Sequence, residues 1–390
     1  MPLFDSPAPV AAEAVAAGIA EHWGLVLGAR LKASQNTTFE ATKAADAPAA
    51  TPDAAAAGVA AVAAAADTAA SSPTTTAPIT TKYAVRVTRD PKREQEARIR
   101  AEVGAVSYLA AATPPGLVCA PVPTRAGEPL ARLGDEYIVV VYEWAAGTAV
   151  DFGAYRWMTV PGIITSWGAA MAHLHAAARA YAAARPDAAR AIRPWDELHD
   201  GVMRGVVLSP EDAAVAAAGL SDAFIVSHGD LNLSNFFITE PPTGSGSDTT
   251  TRLSIYDWDQ VQRGWPEYDM AQSALTVFML AEGGSLPAGE PVPGADPAAW
   301  LAAFIGGYEG VAGVGAVNRA RLARMVELRK LFYGRFGERA TAEGGVPDDM
   351  AWFIAHIDRW MNASGRSAAA AAAVAGVGDM PAATAAACGV

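Results

Sequence analysis

Cysteine is almost absent: Cys119 and Cys388 are the only two in 390 residues, and they lie far apart. That spacing supports neither a disulfide framework nor a Cys-based metal site. It fits a reduced, cytoplasmic protein with a free Cys119. Charge is sparse too. Asp, Glu, Lys and Arg make up 18% of the chain, and the formal net charge is −12. A nucleic-acid binder would show a basic face, so no nucleic-acid partner is expected. No strongly apolar run reaches the ~20 residues that a membrane-spanning helix needs. The Ala-rich stretches near 54–66 and 367–379 are only weakly hydrophobic, and Asp53 and Asp67 flank the first. Asp5 and Glu13 stand where a secretory signal would carry bases and a Leu-rich core.

What is present is enough apolar residue for a core, 52% of the chain, although Ala inflates that figure. The length suggests two lobes. Residues 8–22 read as an Ala-rich helix. Leu25 to Leu31 and the segment reaching Phe39 read as a hairpin. From about Thr42 to Thr81 the chain is Ala, Thr, Ser, Pro and Asp with almost no large apolar residue, which predicts a disordered insertion. Tyr83-Ala-Val-Arg-Val87 resumes as a strand, and a charged helix follows from Lys92 to Ala111, with Ile99, Val103, Val106 and Leu109 at helical spacing. Val118–Val122 and the apolar Tyr137–Tyr142 are further strands. Trp157–Arg185 predicts a long helix. Short strands are expected at 224–226, 236–238 and 253–256, with a hairpin loop at 241–251, then helices from Met270 to about Ser364. Strands dominate the first third and helices the rest. The expected organisation is an N-terminal lobe over 1–144, a helical lobe over 145–365 and a low-complexity tail over 366–390.

The informative run is Ser227-His-Gly-Asp-Leu-Asn-Leu-Ser-Asn-Phe-Phe-Ile238, followed by Leu253-Ser-Ile-Tyr-Asp-Trp-Asp259. An Asp, an Asn five positions on, and a second Asp closing a strand suit a Mg²⁺–phosphate site. Mg²⁺ takes hard oxygen ligands and keeps several positions for phosphate and water. A short turning loop from Asp230 to Asn235 can aim a carboxylate at an acceptor hydroxyl and an amide at the metal. Taken alone, the Asp230/Asn235 pair also fits a turn that bonds itself.

His228-Gly-Asp-Leu-Asn-Leu-Ser-Asn235 and Ile255-Tyr-Asp-Trp-Asp259 resemble the signatures of the aminoglycoside phosphotransferase / choline kinase superfamily. The resemblance implies an α+β, two-lobed, protein-kinase-like fold and the use of ATP and Mg²⁺ on a small-molecule substrate with a hydroxyl group. It implies Asp230 as catalytic base and Asn235 and Asp257 as metal ligands, with His228 and Gly229 shaping the loop and Asp269 as a structural helix-start residue. Ser34-Gln-Asn-Thr-Thr-Phe39 is similar to the family's nucleotide-covering loop, which makes Asn36 and Thr37 cofactor-binding candidates, here without glycines. Arg86 stands where the family presents a basic residue to ATP phosphates, with Lys82 on the same strand face as the fallback and Glu102 as the partner. Lys is commoner there, and the two are not interchangeable. Tyr142-Glu-Trp144 is similar to the adenine-binding hinge, which adds Glu143 and Trp144. The resemblance covers about 23–40 and 82–335.

Other readings stay open. Arg86 also fits a solvated edge strand, Glu102 an exposed helix position, and Asp259 either a substrate contact or a turn cap. His173 and His175 fit packing or hydrogen-bonding roles better than ligation. A protein Ser/Thr kinase and a non-catalytic nucleotide-binding pseudokinase are the rival functions. The acceptors in view are amino alcohols, aminoglycosides, homoserine and sugars.

Overall fold

A computed structural model describes residues 10–33, 36–43, 81–197, 201–240, 251–283, 292 and 294–342. Most of the expected insertion, the hairpin loop at 241–250, any helix beyond 342 and the expected tail lie outside the described residues. The chain divides into two compact units. One holds the described residues of Asp5–Arg100 and Ala120–Trp144, and the other those of Ala101–Cys119 and Ala145–Val390.

The first unit is built on an antiparallel sheet. Helix α1 (Ala12–Trp23) precedes β1 (Leu25–Ala33), β2 (Thr37–Lys43) and β3 (Lys82–Arg89), and after helix α2 (Glu96–Ala112) come β4 (Pro121–Val122), β5 (Ala131–Leu133) and β6 (Tyr137–Glu143). The strand order is β1-β2-β3-β6-β4, with β5 also on β6. Side chains alternate across a strand. Val85 and Val87 of β3, Phe39 and Ala41 of β2, and Val139 and Val141 of β6 therefore share one face and pack on Val15 and Ile19 of α1. Gly24 closes α1 in the left-handed region, its N–H reaching the carbonyls of Ala20 and Ile19. β2 runs through Thr42 and Lys43, two residues into the stretch expected to be disordered. Helix α2 starts four residues later than its charge pattern suggests. The buried Asp90 carboxylate accepts the amides of Glu94 and Gln95 at 2.8 and 3.2 Å and holds 91–95 as a turn.

The second unit is mainly helical. It contains β7 (Thr148–Ala149), α3 (Arg156–Thr159), α4 (Pro161–Ala184), α5 (Pro186–Arg190), α6 (Pro210–Ala218), β8 (Ile225–Ser227), β9 (Phe236–Thr239), β10 (Arg252–Ile255), β11 (Gln262–Gly264), α7 (Pro266–Gly283), α8 (Pro297–Ala312) and α9 (Arg319–Ala342). The helix expected over 157–185 is two pieces, because Pro161 forces extended backbone at Val160. The strand expected at 118–122 is only Pro121–Val122, with Val118 bridging in parallel to Ile255. Residues 101–119 belong with this unit through that bridge and the Cys119 N–H to Ile255 carbonyl bond at 3.0 Å. Helices α4 and α8 cross very closely: a Cβ on Gly168 would lie 1.9 Å from the Phe304 carbonyl oxygen, and one on Gly307 2.0 Å from that of Thr165. Trp167 fills the adjoining core against Trp300, Phe304 and Phe236. On this scaffold sit two small antiparallel sheets, β10-β9-β7 and β11-β8. Their ends carry the loops of interest.

Candidate active site

β8 stops at Ser227 because the next two amides turn away to a carboxylate. His228 N–H and Gly229 N–H donate to Asp269 Oδ2 and Oδ1 at 3.0 and 2.8 Å. Gly229 has φ +84°, and a Cβ there would sit 2.1 Å from the Gln260 carbonyl oxygen, so the position admits only glycine. Burial works to raise the Asp269 pKa, but the His175 hydrogen bond and the charges of His175, His228 and Arg329 hold it below the usual carboxylate range. His175 is itself buried, which pushes its pKa down against the opposing bond and charge of Asp269. Its Nδ1 meets the Tyr308 hydroxyl at 3.0 Å and its Nε2 faces Asp269 Oδ2 at 3.4 Å. Asp269 in the first turn of α7 and His175 on α4 thus have the structural roles expected of them.

Asp230 follows, half-buried and surrounded by amide donors. Asn232 Nδ2 and Gln272 Nε2 each reach its Oδ1 at 3.0 Å. Asn235 Nδ2 reaches its Oδ2 at 3.1 Å and its carbonyl at 2.7 Å. Burial pushes the Asp230 pKa up; Arg329, Asn232 and His228 oppose this, and the nearby Asp257 charge adds to it. Asn232 Oδ1 also accepts the Ser234 amide at 2.8 Å. The self-bonded turn and the clustered carboxylate are therefore one structure rather than alternatives. With its nitrogen committed to Asp230, the buried Asn235 turns its oxygen away, where it accepts the Ser234 hydroxyl at 3.3 Å.

The second carboxylate arrives on the β9–β10 hairpin. Tyr256 N–H donates to the Asn235 carbonyl at 3.0 Å. His228 ties the two segments. Its Nδ1 accepts the Asp230 N–H at 3.3 Å, so its Nε2 carries the proton and donates to the Tyr256 carbonyl at 3.1 Å. The Trp258 ring packs 4.4 Å from the imidazole. Asp257 itself has φ 65°, ψ 63°, a left-handed conformation that costs a non-glycine residue about 1 kcal/mol. Such strain persists where surrounding bonds over-determine it. Asn235 and Asp257 offer an amide and a carboxylate oxygen, the hard donors that a hydrated divalent cation takes. Among the described residues no three His, Cys, Asp or Glu side chains cluster as a closed metal cage.

The remaining candidates fall in two places. In the first unit, Arg86 is buried on a central strand, not a solvated edge, with its guanidinium 5.6 Å from the Tyr142 ring centroid. Lys82 is exposed, pairs with Glu40 at 3.1 Å and lies over the Trp144 ring. Asn36 accepts the Thr88 hydroxyl at 2.6 Å. Thr37 is paired with Val87 and shares the α1-facing side, whereas Thr38 is paired with Arg86. The Thr37 side chain is thus on the opposite face of the sheet from Arg86. Glu143 ends β6 exposed, its N–H bonded to the Ala120 carbonyl at 2.9 Å, and Trp144 is half-buried beside it. Ser34 and Gln35 lie outside the described residues. In the second unit, Glu102 on α2 is buried rather than exposed. Asp259 lends its carbonyl to Arg193 Nη2 at 2.7 Å.

Three residues went unnoticed in the sequence. Arg329 donates to the Gly229 carbonyl at 2.5 Å and lies 3.7 Å from the Tyr268 ring centroid. Gln272 and Tyr333 join at 2.5 Å. Gln272 follows Asp269 by three residues on α7, and Arg329 and Tyr333 are four apart on α9, so helical spacing was the available signal.

Similar folds occur among solved phosphotransferases. An amicoumacin kinase in complex with AMP-PNP, Ca²⁺ and Ami superposes with a TM-score of 0.59 at 14% identity, over 90% of this chain and 92% of that one. A spectinomycin phosphotransferase in complex with ADP and spectinomycin gives 0.53 at 10% identity, over 94% and 99%. A microcompartment-associated aminopropanol kinase gives 0.52 at 15%, over 93% and 98%. These likenesses show a shared protein-kinase-like α+β fold. No curated protein matches the chain. The profile described as "Phosphotransferase enzyme family" matches residues 34–321, which take in every element from β2 to α8. The chain belongs to the phosphotransferase enzyme family.

Proposed function

We propose that the protein is an ATP- and Mg²⁺-dependent kinase that phosphorylates a hydroxyl group of a small molecule. The observation that carries the reading is the loop 228–235. It brings Asp230, Asn235 and the charge of Asp257 together, and holds Asp230 with amide donors from Asn232, Asn235 and Gln272. Asp230 would accept the proton of the attacking hydroxyl and orient that oxygen. Asn235 and Asp257 would hold Mg²⁺, which when bound supplies charge neutralisation at the phosphate oxygens. The backbone at Glu143 and Trp144 would take the adenine, and Arg86 would fork to phosphate oxygens. Neighbours whose complexes contain AMP-PNP or ADP support the nucleotide, and the antibiotic and aminopropanol kinases support a polar, hydroxyl-bearing acceptor of amino-alcohol, aminoglycoside or related type.

The test pairs a mass-shift screen of hydroxyl metabolites with Asp230→Ala and Asp257→Ala. Each variant is expected to lose about a hundredfold or more in kcat. Wild-type-like ATP consumption by both purified variants would remove the assignment. Label appearing on protein instead of on a metabolite would move it to a protein kinase.

A further inference from the structure

Gln272 makes two contacts with one amide nitrogen: Nε2 lies 3.0 Å from Asp230 Oδ1 and 2.5 Å from the Tyr333 hydroxyl. An amide nitrogen carries two hydrogens, so both acceptors are served at once. The side chain is 2% exposed on α7, and its Oε1 is buried without a hydrogen-bond partner. Leaving a buried acceptor unmet in this way is unfavourable. Turning the amide over would not relieve it, because Oε1 would then face the Asp230 carboxylate, acceptor against acceptor. The charge-assisted bond to Asp230 and the Tyr333 hydroxyl hold the nitrogen inward.

Tyr333 comes from α9, beyond the family-matched residues 34–321. One turn earlier on that helix, Arg329 reaches the Gly229 carbonyl. Among the described residues, the other donors to the Asp230 carboxylate, Asn232 and Asn235, belong to its own loop. Gln272 is the donor that ties the carboxylate to the helical scaffold, and Tyr333 locks Gln272. We infer that Gln272 and Tyr333 act as one positioning unit that fixes the Asp230 carboxylate for reaction. This rests on the reading of Asp230 as the base.

The test uses the full chain with Gln272→Met, which keeps length but removes the donor, Tyr333→Phe, and both together. In the acceptor assay, Gln272→Met should lower kcat about 30-fold while KM for ATP stays within about twofold. Tyr333→Phe should lower kcat about fivefold. The double variant should match Gln272→Met alone, because one unit has already been broken. Amide hydrogen exchange at Asn232 and Asn235 provides a readout that needs no turnover, and should quicken about fivefold in either variant. Multiplying kcat losses in the double variant, a shared rise in KM for ATP, or unchanged exchange in both single variants would each overturn the pairing. If wild type phosphorylates no hydroxyl compound, the kinase reading falls by itself, and hydrogen exchange still decides whether the pair holds the loop.

Discussion

At the scale of single residues, the loop 228–235 shows how a backbone requirement stands behind a reactive side chain. Gly229 carries no chemistry. It leaves room for the Gln260 carbonyl, and its own amide and that of His228 both donate to Asp269. A methyl group there meets backbone, which cannot swing aside as a flexible side chain would. Gly229→Ala is therefore expected to cost about 3 kcal/mol, from overpacking plus the positive φ, and to lower turnover with it. Urea unfolding measures the first effect. A loss under about 0.5 kcal/mol would mean that the loop relaxes and the tight contact is not obligatory.

Between elements, α6 and α9 are joined by charge rather than by apolar packing. The nearly buried Asp212 accepts Arg321 Nε at 3.0 Å and Arg324 Nη2 and Nε at 3.0 and 2.6 Å, and the Ser209 hydroxyl at 2.6 Å. Burial works to raise its pKa, but the bonds from Arg324, Ser209 and Arg321 outweigh it and hold the carboxyl below its ordinary range. A depressed carboxylate stabilises the fold above its unfolded pKa, and that stability is lost as pH falls through the folded value. Asp212→Asn should then be less stable than wild type by about 2 kcal/mol at pH 7, with the gap closing below about pH 4. Thermal melts of both proteins across pH 3–8 check this, and a gap that stayed constant with pH would show that the carboxylate's charge is not what joins the helices. None of this network was legible in the sequence. Asp212 and Arg321 are brought together by tertiary packing, and no local period marks a partner about a hundred residues away. The 228–235 loop and Asp257 were legible because their residues lie at short, fixed spacings along the chain. The side-chain face of Thr37 was not, since it depends on which residue of β3 lies opposite, and strand register is set by pairing.

Across the whole molecule, the order of elements was readable because strand-forming and helix-forming stretches are segregated: β1–β6 with α1 in the first unit, and the long helices α4, α7, α8 and α9 in the second. The grouping of 101–119 with the second unit was not, because it follows from Val118 bridging to Ile255, far along the chain. A ligand that binds only the folded state stabilises it by RT ln(1 + [L]/Kd), about 2.7 kcal/mol at a hundred times Kd, and so raises the melting temperature by several degrees. If Asp257 holds the cation and Asp230 serves only the acceptor hydroxyl, the two substitutions must separate in this measurement although both are expected to lower kcat about a hundredfold or more. Asp230→Ala should keep most of the shift produced by ATP with Mg²⁺, because its carboxylate interacts with the acceptor and not with the nucleotide. Asp257→Ala should lose the Mg²⁺-dependent part and respond to ATP alike with and without the metal. Equal losses in both variants would mean that the two carboxylates share the cation, and Asp230 would then have to be reassigned as a ligand.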